Sequence, residues 1–289
     1  MEISKPIKFI ECPRDAMQGL HHFIDTDLKA KYINSLLKVG FDTIDFGSFV
    51  SPKAIPQMKD TAEVLSKLDL SSTKSKLLAI VANRRGANDA SQFEEIQYLG
   101  YPFSISETFQ IRNTNATIEE SLERVAQIQE IATSNNKQLV IYISMGFGNP
   151  YGDQWNVEIC QKWVEKLYNM GITILALSDT IGVATPGSIS YLFSNLIPAY
   201  PDVEFGAHLH TNPSSWEEKI IAAYENGCRR FDSTISGYGG CPMAKDELTG
   251  NMPTENLLYY FSKNNIETNI DQNAFIQSLS LSNQVFMYG

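Results

Sequence analysis

The tripeptide His208-Leu209-His210 carries the sharpest chemical signal in this sequence. Side chains alternate across a β-strand, so residues two apart point the same way and both imidazoles would face one side. One strand histidine is more often a hydrogen-bonded core residue than a ligand, but a pair at this spacing turns the balance toward a metal. Arg14-Asp15, near the start, supplies a permanent cation and a carboxylate, and a glycine-rich stretch, Gly237-Tyr238-Gly239-Gly240-Cys241-Pro242, runs on to Gly250-Asn251. Two imidazoles, the Asp15 carboxylate and the Asn251 amide oxygen form a nitrogen-and-oxygen set. It suits an octahedral divalent ion, Mg2+ or Mn2+, with positions left for substrate oxygens. Zinc would more often show a closed tetrahedral set with thiolates. The other two histidines, His21-His22, are adjacent and diverge, so they read as rim or solvent residues.

These residues are scattered along the chain, so the fold must gather them. Eight β-rich runs recur: Ile7–Cys12, Thr43–Phe49, Lys76–Asn83, Tyr101–Glu107, Gln138–Ser144, Ile172–Asp179, Glu204–His210 and Arg230–Ser236. Their spacing of roughly 25 to 37 residues is the length of one βα unit. Eight units in about 240 residues predict an α/β fold, the (β/α)8 TIM barrel. Helical patterns lie between them, among them Asp27–Val39, Ile118–Ser134, Val157–Met170 and Ser214–Asn226; Gly40, Gly171 and Gly227 follow as helix-ending caps. An open doubly wound sheet fits less well, because no GxGxxG follows the first strand. The chain, 1–289, reads as one catalytic barrel domain in which residues from about 254 to 289 add short helices.

A barrel of this kind builds its active site at the C-terminal ends of its strands. Read in order, those ends carry Arg14-Asp15, then Asp45 and Ser48, then Asn83 with Arg84-Arg85-Gly86, then Ser106-Glu107, Asp179, and finally His208 and His210. On closure strand one lies beside strand eight, with strand seven one further on, so Asp15 can reach the two histidines.

Twenty-three Lys and Arg against 33 Asp and Glu leave a net charge of −10. That excess argues against nucleic acid and anionic membrane surfaces as partners. No apolar run approaches the roughly 18 to 20 residues of a membrane span, and Met1-Glu2-Ile3-Ser4-Lys5-Pro6 lacks the apolar core of a signal peptide, so the chain reads as cytoplasmic. Its four cysteines, Cys12, Cys160, Cys228 and Cys241, are scattered and read as reduced thiols. An anionic substrate must find local positive charge, for which Arg14, the metal, Arg84 and Arg85 are available. The two rim guanidinium groups could bind phosphates in a bidentate manner.

Taken in chain order, these residues resemble the hydroxymethylglutaryl-CoA lyases, part of a larger group of metal-dependent barrel enzymes that also holds isopropylmalate synthase and the ketovalerate aldolases. Cys12-Pro13-Arg14-Asp15-Ala16-Met17-Gln18 is similar to that family's GPRDGLQ. Gly47-Ser48-Phe49-Val50-Ser51-Pro52-Lys53, continuing to Ile55-Pro56-Gln57-Met58, is similar to SFVSPK…PQM. Ser178-Asp179-Thr180-Ile181-Gly182-Val183-Ala184-Thr185-Pro186 resembles GDTIGVGTP, and Gly239-Gly240-Cys241-Pro242 with Thr249-Gly250-Asn251 resembles GGCP…SGN.

The resemblance implies a lyase that cleaves 3-hydroxy-3-methylglutaryl-CoA, or a closely related hydroxyacyl-CoA, to acetyl-CoA and acetoacetate, as in leucine degradation. It implies that Asp15, His208, His210 and Asn251 bind the metal and that Arg14 polarises the thioester carbonyl. Asp179 would lie in the catalytic centre, and Cys241 on a mobile loop that closes over substrate. Asp45 takes the place of a family glutamate and is one methylene shorter. Gln18, Ser48, Asn83 and Arg84 are expected to contact the acyl-CoA. Asp179, Asp45 or a metal-bound water remain open as proton acceptor, and Cys241 or His208 as proton donor. The expected partners are the acyl-CoA and further copies of the chain in a homodimer or larger assembly. The sequence departs from the family after His210, where Thr211-Asn212-Pro213-Ser214 replaces Asp-Thr-Tyr-Gly, and between Pro242 and Gly250, where a run of small residues is missing. An aldolase or a condensing enzyme acting on a 2-oxo acid is the alternative within the larger group; the segments like SFVSPK and GGCP favour the lyase.

Overall fold

The computed structural model describes residues 6–240 and 249–286. Its strands are β1 (Lys8–Glu11), β2 (Thr43–Ser48), β3 (Lys76–Ile80), β4 (Ile96–Ser104), β5 (Gln138–Ser144), β6 (Ile174–Asp179), β7 (Glu204–Thr211), β8 (Arg230–Ser233) and β9 (Gly250–Asn251). The first eight pair in parallel and in sequence, and β8 returns to pair with β1, which closes the barrel. The expected (β/α)8 fold is the observed one.

Around the barrel run α1 (Pro13–Gln18), α2 (Thr26–Leu36), α3 (Thr61–Ser66), α4 (Arg84–Ser91), α5 (Glu107–Thr114), α6 (Ile118–Ser134), α7 (Val157–Asn169), α8 (Pro186–Ala199) and α9 (Trp216–Glu225), followed by α10 (Thr254–Lys263) and α11 (Gln272–Phe286). Local sequence explains their limits. Thr117 and Glu120 form a reciprocal capping box at the start of α6. Gly40, Gly171 and Gly227 take positive φ values of 94°, 80° and 95° where the chain turns from helix to strand.

Several expected boundaries move, the sixth run beginning at Ile174 and the eighth ending at Ser233. Strand β4 begins at Ile96 rather than Tyr101, because Gly100 and Pro102, poor strand formers by type, lie inside it. Gly100 fits where a Cβ would stand 2.5 Å from Ile80 Cδ1. Ser106-Glu107 does not end this strand; Ser106 caps α5, its Oγ accepting from the Phe109 amide at 3.2 Å. The third strand likewise stops at Ile80 rather than Asn83, and Asn83 caps α4, its side chain accepting from Gly86 N at 3.0 Å.

The two-residue period of the strands sorts the side chains. Phe9, Ile44, Phe46, Leu77, Ala79, Leu99, Leu175, Leu177, Ala207, Leu209 and Phe231 belong to the large core between barrel and helices, where Phe9 and Phe231 both meet Phe261 of α10 edge-on. The alternate positions face inward. On β3 to β6 these are apolar or aromatic, with Leu78, Ile80, Tyr98, Val140, Tyr142, Ile174 and Ala176 forming a separate cluster. On the other half of the barrel the positions alternating with that outer core include the polar residues Asp45, His208, His210, Arg230 and Asp232, beside Ile10 of β1 and Gly206 of β7. The interior is therefore divided into an apolar half and a charged half, and the charged half leads up to the strand ends.

Candidate active site

The site is built on Arg14, which α1 places at the top of β1. Its Nε donates to both oxygens of Asp45, at 3.2 and 3.1 Å, and Nη2 donates to Asp45 Oδ2. Nη1 reaches Asp15 Oδ1 at 2.9 Å and Gln18 Oε1 at 3.0 Å, and Gln18 Nε2 in turn donates to Asp15 Oδ1 at 2.9 Å. Arg14 is thus a buried cation between two carboxylates. Burial pushes the Asp45 carboxyl up to about 6, against the pull of the guanidinium beside it. Burial also acts on Asp15, but Arg14, the two imidazoles and the Asn251 amide outweigh it and hold Asp15 below the usual carboxylate range.

Asp15, His208 and His210 offer ligand atoms that all lie within 4.8 Å of one another. His208 has its Nδ1 3.1 Å from Asp232 Oδ2, which fixes the ring and leaves its other nitrogen for the cluster. His210 is buried, and burial together with His208 lowers its pKa to about 4, so the ring is neutral at pH 7. Its Nδ1 has no hydrogen-bond partner. A carboxylate, an oriented imidazole and a neutral imidazole with an unspent nitrogen fit a divalent metal. Cys12, His208 and Asp232 are also close enough to share an ion, but Cys12 is fully buried and its thiol is pushed well above its ordinary pKa by burial, which disfavours the thiolate.

Asn251 reaches this cluster through β9, which pairs antiparallel with the end of β7 so that Asn251 lies opposite His210. Its Nδ2 donates to Asp15 Oδ2 at 2.7 Å and to Tyr238 O at 2.9 Å. Arg14, Asp15, Gln18, Asp45, His208, His210 and Asn251 are thereby brought together.

The remaining expected site residues stand elsewhere or are differently occupied. Asp179 shares the outward face of β6 with Leu175 and Leu177; its Oδ1 accepts from Ala184 N at 2.9 Å and its Oδ2 from Lys219 Nζ at 2.7 Å. Burial raises its pKa, and Lys219 pulls the other way. Ser48 is buried and ties β2 to β3 through Ile80 O at 3.2 Å. Asn83 is spent on capping α4, whereas Arg84 is exposed at the rim with Arg85. His21 is exposed and His22 partly so. Cys241 lies outside the described residues. Among those described, Cys12, Cys160 and Cys228 are free, buried thiols.

The match to known proteins follows this geometry. The HMGL-like family model covers residues 7–281. The chain belongs to the HMGL-like family. It is 32% identical over 275 residues to the cytoplasmic 3-hydroxy-3-methylglutaryl-CoA lyase of Rattus norvegicus, covering 94% of this chain and 79% of that protein. It is 32% identical over 281 residues to a 3-hydroxy-3-isohexenylglutaryl-CoA/hydroxy-methylglutaryl-CoA lyase of Pseudomonas aeruginosa, covering 96% of this chain and 92% of that one. Among solved structures, an HMG-CoA lyase of Acinetobacter baumannii in complex with coenzyme A and 3-methylmalate superposes with a TM-score of 0.90 at 30% identity, covering 98% and 92% of the two chains. No helix among the described residues is long and apolar enough to cross a membrane.

Four buried charged residues of the barrel escape a reading of sequence alone. Asp232 and Arg230 stand two apart on β8, and a pair of charges at that spacing in a barrel strand is the available signal. Glu11 is fully buried on the outer side of β1, accepting from Ile235 N at 2.8 Å and Thr254 Oγ1 at 2.6 Å. Lys219 sits on α9 with Ala222 and Ala223 at i+3 and i+4, which puts it on the buried stripe of the helix.

Proposed function

We propose that this protein cleaves 3-hydroxy-3-methylglutaryl-CoA to acetyl-CoA and acetoacetate. The observation that carries this reading is the meeting of Asp15, His208 and His210 beside Arg14, in a chain that matches lyases of this substrate along most of its length. In the reaction the bond between C2 and C3 of the acyl chain breaks and its electron pair passes into the thioester enolate. The C3 hydroxyl gives up its proton to become a ketone, and C2 takes up a proton.

Asp15, His208, His210 and the Asn251 amide oxygen would hold the metal, Mg2+ or Mn2+. When bound it supplies Lewis-acid polarisation of the substrate's hydroxyl and carboxylate oxygens. Arg14 acts at the other end of the breaking bond. Of its five N–H groups, one on Nε, two on Nη1 and one on Nη2 are spent on Asp45, Asp15 and Gln18, which leaves one Nη2 N–H for the thioester oxygen. A fixed guanidinium aimed at that atom stabilises the enolate charge as it develops. Asp45 and Gln18 hold the guanidinium in its plane. Asp45 and Asp179 have both oxygens engaged, which favours positioning roles for them over proton abstraction. Cys241 is proposed as the acid that protonates C2, and Arg84 as a rim contact for a CoA phosphate.

The Pseudomonas aeruginosa relative is described as acting on two acyl groups that differ at C3, so the substrate panel includes both. Purified protein incubated with HMG-CoA, the isohexenyl homologue, Mn2+ and a thiol reductant is expected to release acetoacetate from the methyl substrate. Consumption of 2-oxo acids, with no product from either hydroxyacyl-CoA, would overturn the reading in favour of an aldolase or condensing enzyme.

A further inference from the structure

Lys219 enters the barrel wall from outside. It lies on α9, is 2% exposed, and its ammonium ends at the tops of β6 and β7. All three of its N–H groups have acceptors: Asp179 Oδ2 at 2.7 Å, His210 O at 2.8 Å and Gly182 O at 3.3 Å. The position of these acceptors matters. Pairing between β6 and β7 ends at Asp179 opposite Leu209, so the His210 carbonyl lies one residue past the last rung of that ladder. On the other edge, β9 pairs with β7 at His210 and Thr211. The end of β7 is therefore held by backbone on one side and, on the other, by the Lys219 ammonium together with the contact of the His210 ring with the Thr180 main chain. Gly182, in the turn after β6, has a φ of +74° and is drawn to the same cation.

We propose that Lys219 is a positioning residue for the metal cluster: it anchors the main chain at His210 and locks Asp179 and the turn after β6 to that anchor. The inference rests on the reading of Asp15, His208 and His210 as a metal centre. The Lys219 ammonium donates to none of the cluster's side-chain ligand atoms; it acts through the His210 carbonyl. Asp179 has the matching role of counter-charge. A lysine this deeply buried would be unfavourable alone, and the carboxylate with two carbonyls satisfies it.

The test separates placement of the cluster from simple stability. Removing the ammonium alone leaves the Asp179 carboxylate buried and unpaired, so Lys219→Met is expected to be less stable. The double variant Lys219→Met/Asp179→Asn removes both charges and is expected to recover most of the lost Tm. Metal-stripped wild type, both variants and Lys219→Gln are titrated with Mn2+, free ion being read by electron paramagnetic resonance, and kcat and KM are measured with HMG-CoA. The double variant is expected to bind Mn2+ about tenfold or more weakly than wild type despite its recovered Tm, as displaced supporting groups of metal sites do. Its kcat falls more than its KM rises, and Lys219→Gln, which keeps N–H donors, recovers part of the affinity. A double variant, or Lys219→Met itself, that binds Mn2+ as wild type does would overturn the role of Lys219. Absence of Mn2+ binding by wild type would instead overturn the metal-centre reading, and this inference with it.

Discussion

His210 and Asn251 face each other across the antiparallel pairing of β7 and β9, and the Asn251 amide donates to Asp15 at 2.7 Å. A two-residue strand thus joins a candidate ligand from β7 to one from α1. With its nitrogen committed to Asp15 and Tyr238 O, the amide presents its oxygen as the unspent donor atom. Asn251→Ala is predicted to weaken Mn2+ binding about tenfold with little change in Tm. Wild-type affinity in that variant would remove Asn251 from the metal set.

Asp232 stands behind His208 as the group that fixes its ring. Replacing it by asparagine keeps the shape and removes the charge that holds the Nδ1 proton. Asp232→Asn is predicted to bind Mn2+ about 10- to 100-fold more weakly, since such outer carboxylates orient a histidine and raise its basicity. Titration calorimetry checks this, and an unchanged dissociation constant would show that the 3.1 Å contact is incidental.

Arg14 separates binding from chemistry. Arg14→Gln is predicted to lower kcat by about 10² to 10³-fold, the usual cost of losing one preorganised donor to a developing oxyanion, while Mn2+ remains bound. Because the change strands the Asp45 carboxylate, the variant Arg14→Gln/Asp45→Asn serves as the stability control. Activity close to wild type in either variant would mean that Arg14 does not face the thioester.

The barrel and its metal end are legible in the sequence for one reason: both rest on the two-residue strand period. It marks the outward apolar positions of the strands and it puts His208 and His210 on one side. The same period turns Asp179 outward with Leu175 and Leu177, away from His208, whereas its place in the catalytic centre is implied by the motif resemblance alone. Lys219 was hidden because lysine on a helix ordinarily reads as solvent-exposed. The start of β4 was masked by Gly100 and Pro102. Nor could periodicity find β9, since two residues are too few to show a period, and only the closed barrel brings Asn251 beside His210.

Glu11 gives the fold a pH dependence of unusual sign for a carboxylate. Burial lifts its pKa from 4.5 to about 8, against the bonds from Thr254 and Ile235 N. The folded state thus keeps a proton that the unfolded chain releases. The stability contributed by this group is fully present below 4.5 and is lost as pH rises through about 8, at up to about 1.4 kcal/mol per pH unit. Denaturant unfolding from about pH 5 to about pH 8 is predicted to show wild type losing stability relative to Glu11→Gln. Parallel curves would mean that Glu11 is ionised throughout.

Product stoichiometry tests metal-dependent cleavage most directly. Metal-stripped protein is mixed with HMG-CoA, and acetyl-CoA and acetoacetate are quantified before and after Mn2+ is added. The predicted result is no turnover without the ion and equal amounts of the two products with it, for wild type but not for Asp15→Ala or His208→Ala. Equal turnover with and without the ion, or products other than this pair, would contradict it.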